Sequence, residues 1–243
     1  MPDSQLLLLH RLQEKIRTHR ACRGYGYVLK DGQKTRCGCR TEALYQYRLA
    51  RSGIPPKYRT KGFKDYVYKE SDAYKKMQSY LKQAKEHQEQ GMGLLLHGPN
   101  YTGKSLLACS LLMELMKRDY DCKFLYFGNL LGVKKGSDTL IPEEFDFLCI
   151  DGMSEVLENL TNFREGALSG VQIHGAVEFA VRAITMRIHE SKPIIMTSTQ
   201  PLTVINQKFP NLAGALIGNC LHVSCEDKGF RQRKLEQMME GDG

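Results

Sequence analysis

Apolar and polar positions along the chain follow two rhythms, one helical and one of short unbroken apolar runs. Residues 4–18 place Leu8, Leu9, Leu12 and Ile16 on one helical face, with Ser4 as N-cap. A glycine-rich stretch, HRACRGYGYV, leads to a turn over DGQK and then to Cys37-Gly38-Cys39. Residues 41–53 read as a helix ending at Gly53, and Ile54-Pro55-Pro56 stops it. After an irregular entry, residues 71–88 predict an amphipathic helix on Tyr74, Met77 and Leu81. Short apolar runs then alternate with helical patterns. Strands are expected at Leu94–Leu96 and over 122–128, 145–152, 192–200 and 219–225. Helices are expected through Leu107, Leu111 and Leu115, and over 172–190 on Val177, Val181, Ile184 and Ile188. This alternation predicts an α/β fold with a parallel sheet covered by helices on both faces. The expected division is a module over 1–53 and a body over 54–243, without internal repeats.

One stretch carries chemistry outright. GLLLHGPNYTGKS, residues 93–105, is an apolar strand, a glycine-bracketed loop and a helix start. Gly98, Gly103, Lys104 and Ser105 fit G-x-x-x-x-G-K-[ST], the phosphate-binding loop of nucleoside triphosphatases. Gly98, Pro99, Asn100, Tyr101, Thr102, Gly103, Lys104, Ser105 and Leu106 are thus the expected ATP-binding residues. The loop amides and the helix N-terminus make an anion cradle. Lys104 is expected on the β- and γ-phosphates and Ser105 on Mg²⁺. Asp151 ends the apolar run FLCID, where a carboxylate would complete the Mg²⁺ shell at the carboxyl ends of the strands.

Composition narrows the class. With 42% hydrophobic and 26% charged residues, the chain reads as an ordinary globular protein. No apolar run approaches the roughly 20 residues of a membrane span. Leu6–Leu9 is too short for a leader core, and basic residues follow it instead of preceding it. A cytoplasmic protein without a membrane partner is expected, its eight cysteines reduced or bound to metal. The net charge of +8 is uneven: residues 1–62 hold 14 Lys/Arg against 4 Asp/Glu. A basic N-terminal region suits nucleic acid or an acidic protein face, or is simply solvated. Within it, His19, Cys22, Cys37 and Cys39 form two close pairs of N/S donors. They suit tetrahedral Zn²⁺, which would hold a segment too small for its own core. The alternative is a basic hairpin with free thiols and a surface His19.

Taken in order, several segments resemble the DnaC/DnaI-type replicative helicase loaders, which are AAA+ ATPases, and the related IstB transposition ATPases. They are the cysteine-bearing N-terminal module, GIPPKYR with a following Phe, GPNYTGKS, FLCIDG, RIHESKP ahead of IIMTST, and the late GFR. The N-terminal module points to the loader branch. The resemblance implies ATP, Mg²⁺ and Zn²⁺ as cofactors. Its implied partners are a replicative DNA helicase and single-stranded DNA, with an oligomer that responds to nucleotide. It places Thr199 at the sensor-1 position and Arg231 at the sensor-2 arginine. Two departures stand out: Gly152 occupies the place of the family's second acid, with Glu155 three residues on, and Ala215 stands where a neighbour-reaching arginine is expected. Both imply weak hydrolysis. The insertion between Asp151 and the 172–190 helix has Phe163 and Arg164 but few aromatics, a poor platform for single strands. A helicase-capturing adaptor with a structural nucleotide site, or an IstB-like ATPase, are the alternatives.

Overall fold

The computed structural model describes residues 3–131, 144–153 and 170–225. The chain opens with helix α1 (Asp3–Arg17), a 3-10 turn (Arg20–Cys22) and a hairpin of β1 (Tyr27–Lys30) and β2 (Gln33–Arg36). Asp31 and Gly32 both take positive φ at the hairpin tip, 50° and 76°. That is the two-residue turn whose twist matches flanking antiparallel strands. The sequence pattern marks the turn but not its short, largely exposed strands. Helix α2 (Gly38–Arg51) follows, then short α3 (Pro56–Arg59) and a 3-10 turn (Phe63–Asp65).

The expected 71–88 helix is two helices, α4 (Asp72–Lys82) and α5 (Ala84–Gln90). Ser71 caps α4, its hydroxyl accepting from the Tyr74 amide at 3.2 Å. The helix breaks at Gln83, where φ −97° and ψ 19° leave the helical region. His87 on α5 stacks on the Tyr80 ring of α4, with centroids 4.3 Å apart.

The body is a five-stranded parallel sheet. Its strands are β3 (Gly93–His97), β4 (Cys122–Tyr126), β5 (Phe147–Asp151), β6 (Ile194–Ser198) and β7 (Cys220–Ser224), in the order β4-β5-β6-β3-β7. The connecting helices are α6 (Lys104–Lys117), α7 (Phe127–Leu131), α8 (Gly170–His189), α9 (Leu202–Lys208) and α10 (Pro210–Asn219). Alternation along β3 splits the core. Leu94 and Leu96 join the layer with α4 and α6, whereas Leu95 joins the layer with α7, α8 and α10. The run 122–128 ends early as a strand because Phe127 opens α7, its side chain fully buried in the second layer.

The N-terminal segment is packed onto the body. Leu49 of α2 and Ile54 share the first core layer. The Phe124 amide donates to the Ser52 carbonyl at 2.6 Å, and Lys123 Nζ donates to the Arg51 carbonyl. The Phe124 bond occupies a backbone amide of edge strand β4 that would otherwise be open to another chain. Arg48 bridges Asp119 and Asp121 at 2.8 and 3.0 Å, Arg36 joins Asp119, and Arg51 reaches Glu144. Burial alone would raise the Asp119 carboxyl, but the guanidiniums of Arg48 and Arg36 outweigh it and lower it. Among the described residues no helix is long and apolar enough to cross a membrane.

Candidate functional site

The parallel sheet delivers the loop after β3 and the ends of β5 and β6 to one side, around a cleft of about 600 Å³. Two glycines make the loop possible. Gly98 has φ 141°, and a Cβ there would collide with the Cys225 carbonyl oxygen. Gly103 has φ 90° just before α6, and a Cβ would meet the Tyr66 ring at 2.8 Å. Tyr101 also takes a positive φ, 65°, with its side chain largely exposed at the loop tip. Asn100, Tyr101, Thr102, Gly103, Lys104, Ser105 and Leu106 all line the cleft. Gly98 and Pro99 instead present their carbonyls to the Lys104 ammonium, at 2.7 and 2.6 Å. That cation is buried and folded onto its own loop. An incoming polyanion would exchange these carbonyls for a stronger, charged partner.

Asp151 and Ser105 meet across the cleft floor. The Ser105 hydroxyl lies 2.8 and 3.0 Å from the two Asp151 carboxylate oxygens. This is the contact that a Mg²⁺ held by both residues would open into two oxygen ligands. Asp151 ends β5, whereas Ser105 opens α6 after the loop that follows β3, and those two strands are not neighbours, since β6 lies between β3 and β5. Thr197 on β6 fills that interval. Its hydroxyl donates to Asp151 Oδ1 at 2.6 Å and accepts from the Gly152 amide at 3.0 Å. Both directions of that buried hydroxyl are committed, so it fixes the carboxylate rather than merely touching it. Sequence reasoning singled out Thr199 and missed Thr197, which reads as one more β-branched strand residue. Only the strand order reveals it. Thr199 lines the same cleft.

Gly152 follows the acid with φ 78° and brings no second carboxylate. Ala215 is buried in the second core layer. Arg231, Glu155, Phe163 and Arg164 lie outside the described residues. The rest of the cleft is walled by the linker, through Lys57, Tyr58, Lys61, Asp65, Tyr66 and Val67.

A second cluster sits in the N-terminal segment. His19, Cys22, Cys37 and Cys39 bring one donor atom each within 4.8 Å of one another. Cys22 Sγ lies 3.6 Å from both His19 Nδ1 and Cys39 Sγ, and Cys37 Sγ lies 3.6 Å from His19 Nδ1. A tetrahedron with metal–sulfur bonds of about 2.3 Å has edges of about 3.8 Å, so the four donors fit zinc. The fold builds this locally. Arg23 and Gly24 turn the chain through positive φ, the Cys37 amide bonds the Gly26 carbonyl, and Cys37 stands at the N-cap position of α2 without a side-chain capping bond. Burial would raise the Cys22 thiol, yet hydrogen bonds from the Gly26 backbone, His19 and Cys39 bring it down to about 6. Burial and the neighbouring sulfurs push Cys39 up to about 12.

No protein-family profile and no curated protein sequence matches the chain. Solved structures do. DnaI superposes with a TM-score of 0.53 at 16% identity, over 73% of this chain and 94% of its own. The DnaC helicase loader gives 0.51 at 13% identity, over 70% and 99%. AMPPCP-bound DnaA from Aquifex aeolicus gives 0.50 at 16% identity, over 78% and 57%. The five-stranded parallel sheet flanked by helices fits an α/β fold of the AAA+ type. At these identities the likeness is one of fold, and the AAA+ sheet accounts for the placement of Lys104, Ser105 and Asp151 around one cleft.

Proposed function

We propose that this AAA+ protein is a replicative helicase loader, delivering a hexameric helicase onto single-stranded DNA under the control of bound ATP. The observation that carries the reading is the convergence of Lys104, Ser105 and Asp151 in one cleft. The likeness in fold to the DnaC helicase loader and DnaI supports it. Lys104 would neutralise the β- and γ-phosphates, and Ser105 with Asp151 would hold Mg²⁺, which supplies charge compensation for the polyanion. Thr199, which lines the cleft, would contact the γ-phosphate, and Arg231 would pair with phosphate. His19, Cys22, Cys37 and Cys39 would hold a structural Zn²⁺ that stiffens the basic region over 1–53, the helicase-gripping unit, beside an ATP-binding unit over 54–243. The protein works in the cytoplasm, and its assembly state responds to nucleotide.

Gly152 in place of a second acid and the buried Ala215 favour a switch with weak hydrolysis over a motor. An arginine supplied from a neighbour is worth about 10³–10⁵ in turnover in phosphoryl-transfer enzymes. The same two positions favour, as a second reading, an adaptor that captures a helicase and uses nucleotide structurally. Capture of the full chain on an immobilised hexameric replicative helicase tests the proposal. A loader is retained more strongly with ATP than without nucleotide, and a Cys39→Ser variant loses retention. Equal retention with and without ATP supports the adaptor. No retention under any condition refutes both.

A further inference from the structure

The linker that walls the nucleotide cleft has a second side. Residues 56–64, PKYRTKGFK, carry Lys57, Arg59, Lys61 and Lys64 with no carboxylate. All four cations are exposed. Arg59, Lys61 and Lys64 line a separate cleft of about 390 Å³, joined there by Lys117 of α6. Among the described residues its one acid is Glu114, already paired to Lys117 at 2.6 Å. The next acid along the chain, Asp65, turns back to accept from the Gly62 amide at 2.8 Å. Arg59 commits its Nε to the Ile54 carbonyl at 2.7 Å. The cleft thus holds a clear excess of positive charge. Tyr45 and Phe63, both partly buried against the core, give it aromatic walls.

We infer that this linker cleft is a binding site for the phosphodiester backbone of a single strand of nucleic acid. Closely spaced cations follow a polyanion, and aromatic walls tolerate any base. Lys61 lines both clefts, so strand binding and nucleotide occupancy share a wall. The inference rests on the loader reading for its partner class and adds the location, in the linker over residues 56–64.

The test is fluorescence anisotropy of labelled oligothymidylate on the full chain across a salt series. Each lysine on a single-strand phosphate contributes about 0.7 to the slope of log affinity against log salt. The pair Lys61→Ala/Lys64→Ala is expected to flatten the slope by about 1.4, and Lys61→Arg/Lys64→Arg to keep it. Oligouridylate in parallel separates DNA from RNA as the source of the backbone, and either one showing the flattening supports the site. Lys64→Ala, which lies outside the nucleotide cleft, is expected to weaken strand binding while leaving affinity for fluorescent ADP unchanged. An unchanged slope in the double alanine variant overturns the inference. So does polyglutamate that competes as well as the oligonucleotide, since the partner is then an acidic protein. Failure of the wild type to bind ADP would strike the loader reading, whereas the lysine series would still decide the cleft.

Discussion

The two ends of this molecule are held by different means. The sheet body buries two apolar layers, in which Leu94, Leu95, Leu96, Phe147 and Leu148 are fully shielded. Among the described residues, the N-terminal segment's own buried cluster is Cys22, Cys37 and Cys39, with Ile16 and Val28 packed against it, while Leu49 of α2 joins the first layer of the body. A body of that kind folds by transfer of apolar area, whereas a cluster of three sulfurs cannot. The difference teaches that docking on the body carries part of the segment's order, and that a metal at the proposed His19–Cys39 site would carry the rest.

Stripping metal is the sharpest way to separate the two. Structural zinc contributes about 10–16 kcal/mol in small finger peptides. A chelator is therefore expected to remove hydrogen-exchange protection across residues 19–40 while the sheet strands stay protected. Simultaneous loss of both would break the comparison. A core truncation should act the other way. Phe147, edge-on to Tyr80 and Tyr120, is expected to cost about 3–5 kcal/mol on Phe147→Ala, seen in denaturant unfolding of the body.

Smaller effects lie at the contacts. Thr197→Val removes a hydroxyl bond to a charged carboxylate, worth about 1.5–3 kcal/mol. Affinity for Mg²⁺-ATP should fall about tenfold or more, with affinity in EDTA little changed and Thr197→Ser restoring it. At the seam, Arg48→Ala should cost about 1 kcal/mol or less, as a partly exposed pair. The Asp119 carboxyl is lowered by its arginines. Its contribution is complete above the ordinary carboxylate pKa and is lost as pH falls through the lowered value. Proteolytic nicking after α2 should therefore rise only in strong acid.

The strands and the phosphate loop were legible because short apolar runs such as LCI and a glycine-bracketed loop have few other uses. The metal donors were legible as residue types, but the place of His19 Nδ1 beside two sulfurs depends on the turn at Arg23 and Gly24. Thr197 was not legible. Its role depends on β6 lying between β3 and β5, and residue spacing says nothing about strand order. The break at Gln83 was hidden for a similar reason: the apolar face continues through it, and only the stacking of His87 on Tyr80 reveals the change of direction. The Arg48 clamp joins positions more than seventy residues apart, beyond any local pattern.

The central claim is that the loop from Gly98 to Ser105 binds a nucleoside triphosphate through Lys104. Isothermal titration of ATP with Mg²⁺ into the wild type and into Lys104→Ala addresses it directly. The account predicts a saturable one-site heat in the wild type and affinity weaker by about tenfold or more in the variant, at equal thermal stability. No heat in the wild type, or undiminished binding by Lys104→Ala, would contradict it.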